Sequence, residues 1–383
     1  MLQTAKKRIV LRSCWRSAWS AQRRRVSLED SLAASYRWLC AAQDAPGDGG
    51  VAAWYDLFHG WSASYPETTG YIIPTFLTYA SVHADPDARE RALRMADWEI
   101  DVQLPTGAVR SGMITSKVGP AVFNTGQVMF GWTAAYQATK DNRYMEAARR
   151  AARWLIQIQD DDGAWRKHLS LMTSTKVQTY NVRSAWGLAL AGKIFNEPDW
   201  VAAACRSADW ALRQQRANGW FDHNTFDDGE NPLLHTIGYV LEGFLGIGML
   251  LGREEYIDAA KKGVRPLVRQ LQKSGKFGGR YSQDWQSSTR WRCLAGEAQI
   301  ALVLLRLTKN QLADDSSADF GRRILESLAD AQDMDTGVPQ SYGALAGSHP
   351  IWGGYCPFRY LNWAAKFHMD ALLLALSGVD VSA

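Results

Sequence analysis

A glutamine recurs through this chain at nearly constant spacing: Gln43, Gln103, Gln159, Gln215, Gln272 and Gln332 follow one another at intervals of 60, 56, 56, 57 and 60 residues. The first four stand five residues after a tryptophan (Trp38, Trp98, Trp154, Trp210), which Leu267 and Ser327 replace in the last two. A glycine follows each, at Gly47, Gly107, Gly163, Gly219, Gly275 and Gly337, suited to the left-handed turn that ends a helix. A period of this length marks a repeat architecture, and six copies fill the chain beyond residue 26.

A second series lies between these segments: TTGYIIPTFL, NTGQVMFGW, YNVRSAWGLAL, HTIGYVLEGF, LAGEAQIALV and YLNWAAKFHMDALLL. These stretches are small or apolar on nearly every side, as helices buried within a structure are, whereas partners such as NRYMEAARRAARWLIQIQ carry a charged face for water. Each repeat is an αα-hairpin that cannot bury its own apolar face, so successive hairpins must stack. The expected fold is all-α, an (α/α)6 toroid in one domain over residues 27–383. Closure is expected over an open solenoid because the last inner helix, near Asn362 to Leu376, needs the partner that the first outer helix, Ser27 to Gln43, supplies.

Residues 1–26 read as a separate basic, disordered tail, with Lys6, Lys7, Arg8, Arg12, Arg16, Arg23, Arg24 and Arg25 and no acidic residue. Without it the net charge of +4 becomes slightly negative, so no nucleic-acid partner is expected. No run approaches the roughly 20 apolar residues of a bilayer span, which argues against stable membrane insertion. The tail has no signal-peptide core, which points to the cytoplasm unless the true start lies upstream with an export signal. Five scattered cysteines without a CxxC pair suggest a reducing compartment and no zinc site, and no metal or other cofactor is expected.

The long loops after the outer helices carry the unusual residues, among them WYDLFHGWSASYPET, WFDHNTFDDGENPLLH and SHPIWGGYCPFRYLN. Their tryptophans offer flat faces against which sugar rings stack, or plugs for helix ends. Candidate substrate-binding residues are Trp54, His59, Tyr65, Asn124, Gln127, His168, Arg183, Asp222, His223, Arg280, Asp284, Trp352, Tyr355 and Arg359. Candidate catalytic residues are Glu67, Glu297, Tyr180, His235 and Tyr239.

A glycoside hydrolase needs two facing carboxyls, one neutral and one ionised, which Glu67 and Glu297 could supply. A uronate-directed lyase or C5-epimerase instead needs cations against the carboxylate and a Tyr or His to move the C5 proton, and Tyr180, Arg183, His168, His235 and Tyr239 suit that chemistry. A non-catalytic glycan-binding protein would use the same aromatic mouth for recognition alone. The residues leave these readings open, with hydrolysis, Glu67 as general acid or base and Glu297 as its partner, the leading expectation. The run Asp160-Asp161-Asp162 falls at a Gln-to-Gly turn and is read as part of that turn, not as the acidic cluster of a terpene cyclase.

The strings YPETTGYIIPT, FNTGQVMFGW, TYNVRSAWGLAL, NPLLHTIGYVLEGFL and PIWGGYCPFRYLNWAAKF resemble the VpsJ-like proteins of bacterial exopolysaccharide and capsule clusters over about residues 28–378. That resemblance implies a six-hairpin glycosidase-like fold, a polysaccharide or oligosaccharide substrate, a role in making, trimming or modifying a cell-surface polysaccharide, and polysaccharide-assembly proteins as partners. It supplies no catalytic residues.

Overall fold

The computed structural model describes Arg12, Cys14 and residues 25–381 other than Met172 and Asp228. Of the expected basic tail, residues 1–26, all but Arg12, Cys14, Arg25 and Val26 lie outside the described residues; Arg12 pairs with Asp335 at 2.8 Å.

Twelve helices of 13 residues or more alternate through residues 28–377. They are α1 (Leu28–Asp44), α2 (Pro66–His83), α3 (Pro86–Asp101), α4 (Val122–Thr139), α5 (Asn142–Gln157), α6 (Val182–Ile194), α7 (Pro198–Leu212), α8 (Leu234–Leu251), α9 (Glu254–Ser274), α10 (Leu294–Lys309), α11 (Asp315–Ala331) and α12 (Asn362–Ser377). Odd-numbered helices form the outer layer and even-numbered ones the inner. The outer helices α1, α3 and α5 start on side-chain caps, Ser27, Asp85 and Asp141, each accepting a first-turn N–H.

Inner helices pack in sequence, α2 on α4, α4 on α6, α6 on α8, α8 on α10 and α10 on α12, and α12 returns to α2 and α1. The result is a closed (α/α)6 toroid. Thr75 of α2 donates to Asp370 of α12 at 2.7 Å, and Asn362 donates to Thr68 at 2.7 Å, across the closure. The inner-ring glycines follow from this crowding: a Cβ on Gly131 would overlap the carbonyl of Gly70, and one on Gly187 that of Gly126.

The recurrent glutamine is a staple between outer helices. Gln103 Nε2 donates to Gly107 O (2.7 Å) and to Ala147 O of α5 (3.0 Å), and Gln159 donates to Gly163 O (3.1 Å) and Ala203 O of α7 (2.9 Å). Gln43 reaches Arg91 O and Gln215 reaches Ala259 O in the same way. Gln332 donates to Gly343 O (2.7 Å) and Ser31 O (3.2 Å), joining the last repeat to the first. Gln272 departs from the pattern: α9 runs on to Ser274, and the Gln272 side chain is exposed.

Two expectations about the turn glycines need correction. Only Gly275 sits at the helix end itself, donating to Leu271 O at 2.8 Å; Gly107, Gly163 and Gly219 lie a few residues further, in the following turn. In the sixth repeat the left-handed residue is Gly343 (φ 87°), not Gly337, because a turn built on the Asp333 and Asp335 carboxylates is inserted before it.

Five short strands pin the long loops: β1 (Trp54–Asp56), β2 (Gly60–Trp61), β3 (Arg292–Cys293), β4 (Ser348–His349) and β5 (Arg359–Leu361), paired as β2-β1-β5 and β3-β4. Contrary to the expectation that no segment is apolar enough to span a bilayer, α8 is long and apolar enough by length and composition alone; 83% of its apolar window is buried in the protein.

The ring axis is filled. Arg183 of α6, 2% exposed, lies over the rings of Tyr71 (α2), Phe130 (α4), Tyr239 (α8) and Phe367 (α12) at 5.2–5.7 Å, as well as Trp186 of its own helix. Its guanidinium is held by Gln127 and by Glu242 Oε2, the latter at 3.4 Å. Lys366 pairs with Asp370, and Arg306 with Asp380 at 2.7 Å, so other buried cations also have carboxylate partners.

Candidate active site

Inner helices begin on the long-loop face, and their first turns present Glu67 (α2), Phe123 (α4), Tyr180 (in the 3-10 turn before α6), His235 and Tyr239 (α8) and Trp363 (α12) to one cavity of about 220 Å³. Trp54, Tyr65, Phe226, Tyr355 and Arg359 complete most of the wall, and residues from two loops, Met113 with Ser116 and Ser170 with Leu171, lie over it. The loops are tied together by Leu171 N–H donating to Ser111 Oγ at 2.7 Å. Beneath, Arg183 and its rings close the barrel, so the cavity is blind.

Glu67 is the only carboxyl among the described residues lining the cavity. Tyr65, the residue before the Pro66 that opens α2, donates its hydroxyl to Glu67 Oε2 at 2.6 Å. Burial pushes the Glu67 carboxyl up to about 7, against the opposing pull of the Tyr65 hydroxyl and the Arg183 charge. Such a carboxyl is poised to give and take a proton near neutrality. The hydroxyls of Tyr65, Tyr71, Tyr180 and Tyr239 are all held well above their usual range, first by burial and then by Coulombic repulsion from neighbours that include Glu67. They are proton donors in the resting site.

His235 Nδ1 lies 2.6 Å from Gln299 Oε1, which assigns the proton to Nδ1 and leaves Nε2 as an acceptor. Burial, reinforced by Arg183, lowers its pKa to about 3, so the ring is neutral. It packs against Tyr239 with centroids 4.3 Å apart. At the rim, the Arg359 guanidinium lies 4.6 Å over Trp54 and its Nε donates to Asp56 at 2.9 Å, its partner in the β1–β5 register.

Eight expected site residues therefore converge: Trp54, Tyr65, Glu67, Tyr180, His235, Tyr239, Tyr355 and Arg359. Asn124, Gln127 and Arg183 are buried behind or below the wall and touch no open space. The others stand elsewhere. Glu297 does not face Glu67; both its oxygens are taken by Arg292, at 2.8 and 2.5 Å, so it is a structural ion-pair partner. His59 is 82% exposed beside Asp56, and His168, an exposed residue, lies tilted against Trp154 with ring centroids 5.5 Å apart. Asp222 pairs with Arg216, His223 stacks on Trp210, Arg280 pairs with Glu230, Asp284 lies on an outer groove and Trp352 is 46% exposed. Glu297 stands in the first turn of α10, while the others lie on or beside the long loops, and loop length alone does not say which way a side chain turns.

Met113, Phe123, Leu171, Phe226 and Trp363 were missed. Trp363 and Phe123 had a usable signal, since they occupy the first turns of inner helices as His235 does. Among the described residues, no three His, Cys, Asp or Glu side chains come together as a metal site would require.

This fold and this blind, aromatic pocket define a six-hairpin, glycosidase-like toroid. The ulvan lyase N-terminal domain model matches residues 99–292, half of the chain, and the chain belongs to that family. No curated protein matches it by sequence. Among solved structures it is similar to an unsaturated glucuronyl hydrolase specific for heparin (18% identity, 92% of this chain and 98% of that chain, TM-score 0.70). It is also similar to the unsaturated glucuronyl hydrolase of Bacillus sp. GL1, responsible for glycosaminoglycan degradation (16%, 92% and 98%, TM-score 0.70), and to a D-mannose isomerase (12%, 92% and 97%, TM-score 0.72). At these identities the likeness is one of fold, and the fold hosts both hydrolysis and isomerisation.

Proposed function

We propose that this chain is a glycosidase-like enzyme that removes an unsaturated uronyl unit from the end of an acidic oligosaccharide, with Glu67 as both acid and base. The observation that carries this reading is the single carboxyl, raised to about 7, among the described residues that line the cavity. Direct displacement at a glycosidic carbon uses two carboxyls. An unsaturated uronyl ring is an enol ether and needs only one. Glu67 gives its proton to C4, water adds at C5, and Glu67 recovers a proton from that water. The resulting hemiketal opens and C1, now a hemiacetal, releases the remaining saccharide. The blind floor suits a chain end, and Arg359, whose terminal nitrogens have no hydrogen-bond partner among the described residues, suits the uronyl carboxylate. The glucuronyl hydrolases of the same fold support this choice of substrate.

A second reading, β-elimination on an intact uronate, is favoured by the neutral His235 beside Tyr239 and by the family's description as ulvan lyase. There His235 would take the C5 proton and a tyrosine would protonate the leaving oxygen. One assay separates the two. Incubated with unsaturated uronyl oligosaccharides, the protein should erase the ultraviolet absorbance of the C4–C5 double bond, and Glu67→Gln should not. A rise in that absorbance from saturated polyuronate would establish the lyase instead. The resemblance to VpsJ-like proteins adds, within the same proposal, a place in the making or trimming of a surface polysaccharide; the cytoplasmic location expected from the sequence is carried in the same proposal.

A further inference from the structure

A second groove lies away from the cavity, on the outer face. Its volume is about 760 Å³, and it runs between α9 and the turns at Asn218 and Asp284–Gln286. One wall is a row of cations on α9: Lys262, Arg265, Arg269 and Lys273. Their spacing of three and four residues puts them on one helix face over about 16 Å. Among the described residues none of the four is ion-paired; the nearby Asp258 has its own partner in Lys261, at 3.6 Å. An outer helix needs a polar face for solubility, but that purpose is served by mixed charges, as α3 shows with Arg91–Asp87 and Arg94–Glu90. The unpaired row on α9 is different in kind.

The opposite wall supplies Asp284, the Asn218 and Gln286 amides, and Trp285, whose Nε1 is already donated to Asn218 O at 3.1 Å. Asp284 also borders a third, smaller groove lined by His223, Asn224 and Thr225, and the next residue along the chain, Phe226, is a wall of the cavity. The two grooves therefore share Asp284, and the smaller one adjoins in sequence the loop that supplies Phe226 to the cavity wall.

We propose that this flank groove is a secondary binding site for an acidic polysaccharide chain. Cations one turn apart meet carboxylates or sulfates of the polymer, while Asp284, Asp258 and the amides meet sugar hydroxyls. That mixture discriminates between polyanions. A saccharide offers hydroxyl donors to the two aspartates, whereas the phosphodiester backbone of DNA offers none and is repelled by them. The inference deepens the proposed function only in its substrate class, acidic saccharide, and does not depend on the chemistry at Glu67.

The test is binding of polygalacturonate to wild type, to Arg265→Glu/Arg269→Glu and to Glu67→Gln, with duplex DNA as the competing polyanion. Wild type and Glu67→Gln should bind polygalacturonate equally, with affinity falling as salt rises, and the double charge reversal should weaken binding by about tenfold or more. Turnover of a short oligosaccharide should be the same in the double variant as in wild type. Unchanged polygalacturonate binding in the double variant overturns the proposal. So does DNA binding as tight as polygalacturonate and equally sensitive to the reversal, which would make the row a nucleic-acid surface. If wild type turns over no oligosaccharide but binds polygalacturonate through the row, the proposed function fails and the groove stands.

Discussion

The Tyr65 hydroxyl and the Glu67 carboxyl, two residues apart and 2.6 Å from each other, are locked together by the Pro66 turn that starts α2. The proline fixes one backbone angle between them, so the pair is built before substrate arrives. Tyr65→Phe removes the one hydrogen bond that favours the ionised carboxylate. If Glu67 is the acid, as proposed, the upper limb of the pH–rate profile follows loss of its proton and should move to higher pH in that variant. A profile that stays in place would separate this hydroxyl from the ionisation that limits the rate.

Glu67 also links pH to stability. Its carboxyl ionises near its ordinary value in the unfolded chain and at about 7 in the fold, so the unfolded state alone is charged between about 4.5 and 7. The contribution is full below the lower value and is lost as pH rises through the upper one. Glu67→Gln should melt like wild type at pH 4 and be more stable at pH 8, by roughly 3 kcal/mol. Thermal melts across this range check the sign.

Glu67→Gln should lower turnover by a factor of about 10²–10⁴. Glu297→Gln should leave turnover within a few-fold while lowering stability, because Arg292, 17% exposed, loses its ion-pair partner. Steady-state kinetics on both variants decide whether Glu297 has any role at the reacting centre.

Arg183→Met should cost about 3–5 kcal/mol, since it strands Glu242 in the ring interior. The double variant Arg183→Met/Glu242→Leu should regain most of that loss. Denaturant unfolding of the two measures the cost of the unpaired charge directly.

Gln332→Ala should destabilise the ring by about 1–3 kcal/mol, because the carbonyls of Ser31 and Gly343 lose a buried donor. Gln272→Ala, at an exposed position, should change stability by less than about 0.5 kcal/mol. Equal effects would mean that the repeat is not read out through the staple.

The period of the glutamines exposed the ring in the sequence because five of the six form the same staple to the next outer helix. The inner helices were legible for a related reason: Gly126 and Gly187 admit no side chain where backbones touch. The site was half legible. Residues in the first inner turn, such as Glu67 and His235, have their direction fixed by a helix, whereas His59, Asp222 and Trp352 sit on loops whose course depends on distant partners such as the β1–β5 pairing. Glu297 misled because its position in α10 matches a site position, and only the neighbouring Arg292 shows that it is already engaged.

The Arg183 plug gives the molecule a single doorway. Whatever enters must leave by the route it came, so a polymer cannot be threaded through and cut at intervals like tape. Each released unit has to clear the mouth before the shortened chain can present its new end, and it obstructs that end until it does. An enzyme of this shape should work in separate encounters, with product inhibition competitive against substrate, and should leave a population of chains that shorten together.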